Sequence, residues 1–125
     1  MPFLDPLRIE SVRGTSDKFK LLEKLRYKCL NKVIIEVPAG FETDFASVPR
    51  IFRGLFPKAG KYRDAAVIHD YLYKYQGFEM FSRADVDSLF KQAMAELGVS
   101  WLRRNAIYSA VRLGGGLYWK QCKEN

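Results

Sequence analysis

The chain contains a single histidine, His69, followed at once by Asp70 and four residues later by Tyr73. On a helix, residues four apart are neighbours on one flank, whereas Asp70 points roughly 100° further round. One short stretch therefore offers an imidazole, a carboxylate and a phenol. An imidazole titrates near neutrality, as general-base chemistry requires. The inert alternative is a core-edge histidine hydrogen-bonded to a neighbour. A catalytic histidine also needs a group that fixes its tautomer and stabilises its protonated form. Asp85 and Asp87 are the candidates downstream. Each lies roughly 90–110° from the centre of the apolar stripe of its helix, on opposite flanks, so periodicity leaves the choice open.

Two further residues are candidates for a site. Asp44, between a strand and a helix, either caps backbone N–H groups or joins Arg50 beside His69, as metal ligand and anion clamp respectively. Tyr71, Tyr75, Phe78 and Phe81 crowd the far end of the His69 helix. They serve as core or rim, or grip acyl chains or bases. Zinc would need Cys29, Cys122, His69 and a carboxylate to converge, and one histidine excludes HExxH zincins.

The elements that must hold these residues follow from pattern. FKLLEKLRYK (19–28) alternates loosely and KVIIEV (32–37) is rich in β-branched residues, which predicts strands. Lys24 and Asn31-Lys32 mark turns, and Pro38-Ala39-Gly40 turns the chain into a short strand at Phe41-Glu42-Thr43. Helices follow: one from Ser47-Val48-Pro49, one from about Tyr62 to Tyr75 stopped at Gly77, and one capped by Ser82 and closed by Gly98. A last helix opens at Ser100 and runs into Gly114-Gly115-Gly116. Those glycines mark either its end or a close backbone crossing, since each weakens a helix by roughly 1 kcal/mol relative to alanine. The expected fold class is α+β, a small N-terminal antiparallel β-sheet followed by about four helices. With no repeat or linker in 125 residues, a single domain over 1–125 is expected.

Hydrophobic residues at 48% and aromatics at 14% supply a core and argue against disorder. No apolar run is long enough to span a bilayer, and MPFLDPLRIESV does not read as a secretion signal. The formal net charge of +7 favours anionic partners, either phospholipid or an acidic surface, with nucleic acid a weaker option. Cys29 and Cys122 are too few for a disulfide framework and are expected as reduced thiols.

Two resemblances add to this. VPAGFETDFASVPR (37–50), GKYRDAAVIHDYLY (60–73), DSLFKQAM (87–94) and AVRLGG (110–115) together resemble a phage and prophage family of unknown function, over nearly all the chain from Phe19 onward. AAVIHDYLY further resembles the catalytic helix of secreted phospholipases A2, in the parvovirus capsid version with alanines in place of paired cysteines. That resemblance implies two central antiparallel helices, His69 activating water, Asp70 binding calcium and Tyr73 bonding to a carboxylate. An Asp on the next helix would orient the histidine, and the D-x-x-F spacing of the capsid enzymes selects Asp87 with Phe90. Those enzymes bind calcium with a glycine-rich loop. The corresponding stretch here is Phe56-Pro57-Lys58-Ala59-Gly60-Lys61.

The expected function is a calcium-assisted lipid or ester hydrolase encoded by a phage. The alternative is a non-catalytic virion or tail component, or a protein binding a host target. The expected location is the cytoplasm of the infected bacterial host, or the virion.

Overall fold

A computed structural model describes residues 2–14, 18–43 and 62–124. Asp44, Arg50, the helix expected from Ser47 and the loop 56–61 lie outside the described residues. The chain divides into two compact units, Met1–Phe45 and Ala46–Asn125.

The first unit is antiparallel β structure. It comprises β1 (Ile9–Ser11), β2 (Phe19–Leu21), β3 (Leu25–Lys28), β4 (Ile34–Val37) and β5 (Glu42–Thr43). The expected single sheet is two: β1-β2-β5, and the β3-β4 hairpin. FKLLEKLRYK is split by a bend at Leu22-Glu23, so its halves pair with different partners. In the hairpin, Leu25 faces Val37 and Tyr27 faces Ile35. All four are buried while Lys28, Ile34 and Glu36 are exposed, the period-two pattern of a half-buried pair. The hairpin turn places Lys32 at φ 69°, with the Lys32 N–H donating to the Cys29 carbonyl at 2.9 Å. Gly40 has φ 90° in the turn from Pro38 to Phe41, where a left-handed residue is required at the third position. Arg26 grips Asp5 through Nε at 2.8 Å and Nη2 at 3.1 Å.

Among the described residues, the second unit holds three α-helices: α1 (Arg63–Lys74), α2 (Arg83–Glu96) and α3 (Trp101–Glu124). The architecture is therefore α+β, antiparallel sheets followed by helices. Ala65, Ile68 and Leu72 of α1 are buried as its stripe predicts, and so are Val67, His69, Asp70 and Tyr73 around it. Ser82 and Asp85 form a reciprocal capping box at the start of α2. The Ser82 Oγ accepts from the Asp85 N–H at 3.1 Å, and Asp85 Oδ2 accepts from the Ser82 N–H at 3.0 Å. Between α1 and α2 lies a left-handed turn in which Gln76, Gly77, Phe78 and Glu79 have φ of 57°, 65°, 54° and 61°. Gln76 Nε2 braces it, donating to the carbonyls of Tyr73 and Trp119 at 3.0 Å each.

The two helices run in opposite directions. Tyr73 and His69 both reach Asp87, and the His69 ring also lies 4.4 Å from that of Phe90, one turn further along α2. Helix α3 does not stop at its glycines and continues to Glu124. The glycines mark a crossing: a Cβ on Gly115 would stand 2.9 Å from the Tyr73 hydroxyl.

Candidate functional site

Helix α1 carries His69 and Tyr73 on the flank facing α2, and α2 carries Asp87 on the flank facing α1. The His69 Nε2 lies 2.7 Å from Asp87 Oδ1, and the Tyr73 hydroxyl donates to the same oxygen at 2.6 Å. Helix α3 completes the carboxylate from the other side: Arg112 Nη1 donates to Oδ2 at 2.8 Å. Arg83, one turn before Asp87 on α2, stands 3.9 Å from Oδ2 through Nη1 and donates through Nη2 to the Arg112 carbonyl at 2.7 Å. His69, Tyr73 and Asp87 are fully buried, at 0% exposure each. The imidazole is held between the rings of Tyr73, at 4.3 Å, and Phe90, at 4.4 Å.

The electrostatics follow from burial and this donor set. Burial alone would push Asp87 up. The hydrogen bonds from His69, Tyr73 and Arg112 outweigh it and hold the carboxyl below its ordinary value of 3.8. Burial lowers His69 below 6.5, against the opposing pull of Asp87. Burial and the adjacent carboxylate push the Tyr73 phenol far up, so it stays a donor. An ionised Asp87 accepts and does not donate, so Nε2 of the neutral imidazole carries the proton. Nδ1 is then the basic nitrogen. It is buried, and among the described residues it has no hydrogen-bond partner.

The structure thus brings together His69, Tyr73 and Asp87 of the residues singled out from sequence. Asp85 is instead the third residue of the capping box, a role already visible in the S-x-x-D spacing from Ser82. Asp70 is buried, at 1% exposure, and does not join the Asp87 network; its charge is one of the influences that raise the Tyr118 phenol, after burial. Asp44 and Arg50 lie outside the described residues. Sequence reasoning missed Arg112 and Arg83. For Arg83 the signal is the i,i+4 spacing to Asp87. For Arg112 it is a cation beside the buried positions Val111 and Gly115 of α3.

Among the described residues no group of three or more His, Cys, Asp or Glu side chains is placed to hold a metal ion. Asp70 supplies one carboxylate, where calcium takes six to eight oxygens, and the loop 56–61 that the resemblance implies as a source of others lies outside the described residues. No helix is long and apolar enough to cross a membrane among the described residues.

No match to the chain was found among curated proteins or among solved structures. One family model matches, over residues 19–111, and covers the strands from β2 onward, α1, α2 and α3 as far as Val111. With the match spanning most of its length, the chain belongs to the family described as Protein of unknown function (DUF1353).

Proposed function

We propose that the protein is a phage-encoded ester hydrolase, with phospholipid the favoured substrate class, in which His69 is the general base and Asp87 its orienting partner. The observation that carries this is the asymmetry of the imidazole. Nε2 is fixed on a carboxylate at 2.7 Å, whereas Nδ1 is buried with a lone pair that no described residue engages. A network built only for stability would satisfy both nitrogens, because an unpartnered buried polar atom costs about 1–3 kcal/mol.

In the proposed reaction, Nδ1 removes a proton from a water molecule as its oxygen bonds to the ester carbonyl carbon. Collapse of the tetrahedral intermediate breaks the carbonyl carbon–alkoxy oxygen bond. The imidazolium then returns the proton to the departing alkoxide. Asp87 stabilises the imidazolium, and Tyr73 and Arg112 keep Asp87 ionised and fixed. The complete burial of His69 means that turnover includes an opening step that admits water and ester to Nδ1. The resemblance to phospholipases A2 supports the substrate class, and the basic balance of the chain suits an anionic interface. Calcium dependence belongs to the proposal only through that resemblance, with Asp70 its single candidate ligand.

A second function has an observation in its favour. Asp87 ties α1, α2 and α3 together with no exposure, as a structural lock would in a non-catalytic virion, tail or host-target-binding protein. A panel of phospholipid and short-chain esters, with and without calcium, is measured beside thermal melts of His69→Gln and Asp87→Asn. Hydrolysis by the wild type that is lost in a folded His69→Gln protein supports the enzyme. An inactive wild type whose variants melt far lower overturns the enzyme and favours the lock.

A further inference from the structure

The outward side of α3 does not behave like the surface of an ordinary terminal helix. Leu102, Leu113 and Leu117 are 73%, 85% and 77% exposed. At 100° per residue they fall within about 60° of one another, opposite the buried Val111 and Gly115. The stripe runs about 22 Å along the helix, and the exposed residues in and beside it, Ala106 and Ser109, are small and leave the leucines proud. Trp101, 68% exposed, flanks its start.

The charge on this helix has one sign. Arg103 and Lys120 are exposed towards the two ends of the stripe. Arg104, Arg112 and Lys123 are the other ionised residues before Glu124, so no acidic side chain occurs from Trp101 to Lys123. Leucines on an outward face and cations without acids suit a helix that lies in a membrane interface, its apolar side among acyl chains and its cations at anionic headgroups. A protein partner would be expected to meet these cations with acids of its own. A second copy would bring like charges together, since each copy presents the same Arg103 and Lys120.

We infer that the outward face of α3 docks on anionic phospholipid bilayers through Leu102, Leu113 and Leu117, with Arg103 and Lys120 engaging the headgroups. The inference rests on the proposed lipid substrate only in naming the surface. The leucines and cations carry it independently of catalysis. Helix α3 also supplies Arg112 to the carboxylate that holds His69, so the docked element is continuous with the candidate site.

The test is co-sedimentation of the full chain with vesicles of phosphatidylcholine alone, or mixed with phosphatidylglycerol. Binding to the mixed vesicles is expected, weaker on phosphatidylcholine alone and weakened again as salt is raised from about 0.1 to about 0.5 M. Leu113→Ser with Leu117→Ser is expected to lower the partition coefficient roughly 100-fold, about tenfold per leucine removed from the acyl region. Both positions are exposed, so the melting temperature should hold. Wild type that stays in the supernatant with mixed vesicles overturns the inference. So does binding unchanged in the double leucine variant, or a dimer in sedimentation velocity that this variant dissolves while vesicles capture nothing. Vesicle binding without hydrolysis of any ester leaves the docking face standing and removes the enzyme. Hydrolysis of a soluble ester without vesicle binding does the reverse.

Discussion

Gly115 and Gly116 are adjacent on α3, and alanine at each should change stability in opposite directions. Either substitution gains up to about 1 kcal/mol of helix propensity. At Gly116 the new methyl meets the Arg83 guanidinium no closer than 3.6 Å, ordinary contact on an exposed position, so the gain survives. At Gly115 the methyl arrives 2.9 Å from the Tyr73 hydroxyl and 3.3 Å from its Cε2. That ring has nowhere to retreat. It is fully buried, packs edge-on against Trp119 at 5.0 Å, and its hydroxyl is fixed to Asp87 at 2.6 Å. Overpacking costs about 1–3 kcal/mol. Losing a hydrogen bond to a charged acceptor costs about 1.5–3 kcal/mol more. Less the helix gain, Gly115→Ala should destabilise by roughly 2–4 kcal/mol, lowering the melting temperature by roughly 6–15 °C. Urea and thermal melts followed by circular dichroism measure both variants. A cycle with Tyr73→Phe isolates the hydroxyl, and the cost of Gly115→Ala should shrink in that background. Equal effects at the two glycines, or a cost indifferent to the Tyr73 hydroxyl, would refute the crossing.

Stability should fall with falling pH in two stages. His69 is held neutral by burial, so the unfolded chain takes up that proton first. The stabilisation is complete above about 6.5 and declines below it. Asp87, held below 3.8 when folded, adds a second loss as pH drops through the carboxylate range. Melts against pH in wild type and His69→Gln test this, and stability rising on acidification through 6.5 would contradict a neutral imidazole. Burial raises the Cys122 thiol, so its alkylation by iodoacetamide near neutrality should be slower than that of a free cysteine, as followed by mass spectrometry. In the left-handed turn, Glu79→Gly should be neutral or stabilise by up to about 1 kcal/mol, because the backbone penalty at φ 61° disappears. Gly77→Ala should destabilise, its methyl lying 3.1 Å from the Phe81 Cβ; a gain there in the same melts would contradict the turn geometry.

Helices α1 and α2 were legible in the sequence because periodicity and capping agree: an apolar stripe ends near Gly77, and Ser82 opens the next. Strand β1 was not, since Ile-Glu-Ser is short and its residues are half-buried or exposed. The division into two sheets was hidden because strand propensity does not say which strand will be the partner. Local propensity left the glycines of α3 as either its end or a close crossing, and what decides for the crossing is tertiary, the room Gly115 makes for Tyr73. In the site, spacing made His69 and Tyr73 neighbours but left Asp85 and Asp87 open, the resemblance selected Asp87, and the capping box accounts for Asp85. Arg112 comes from 25 residues beyond Asp87, a distance over which no local pattern operates.

The order in which Asp87 acquires its partners has a consequence for synthesis. His69, Tyr73 and Asp87 all leave the ribosome before Arg112. Until that guanidinium arrives, sealing the α1–α2 hairpin would bury a carboxylate whose Oδ2 lacks its closest cation, at several kcal/mol. The α1–α2 pair is therefore expected to close fully only once α3 docks and brings Arg112 to Oδ2. A chain ending before Arg112 is expected to hold this hairpin more loosely and to be cleaved faster by proteases than the full chain.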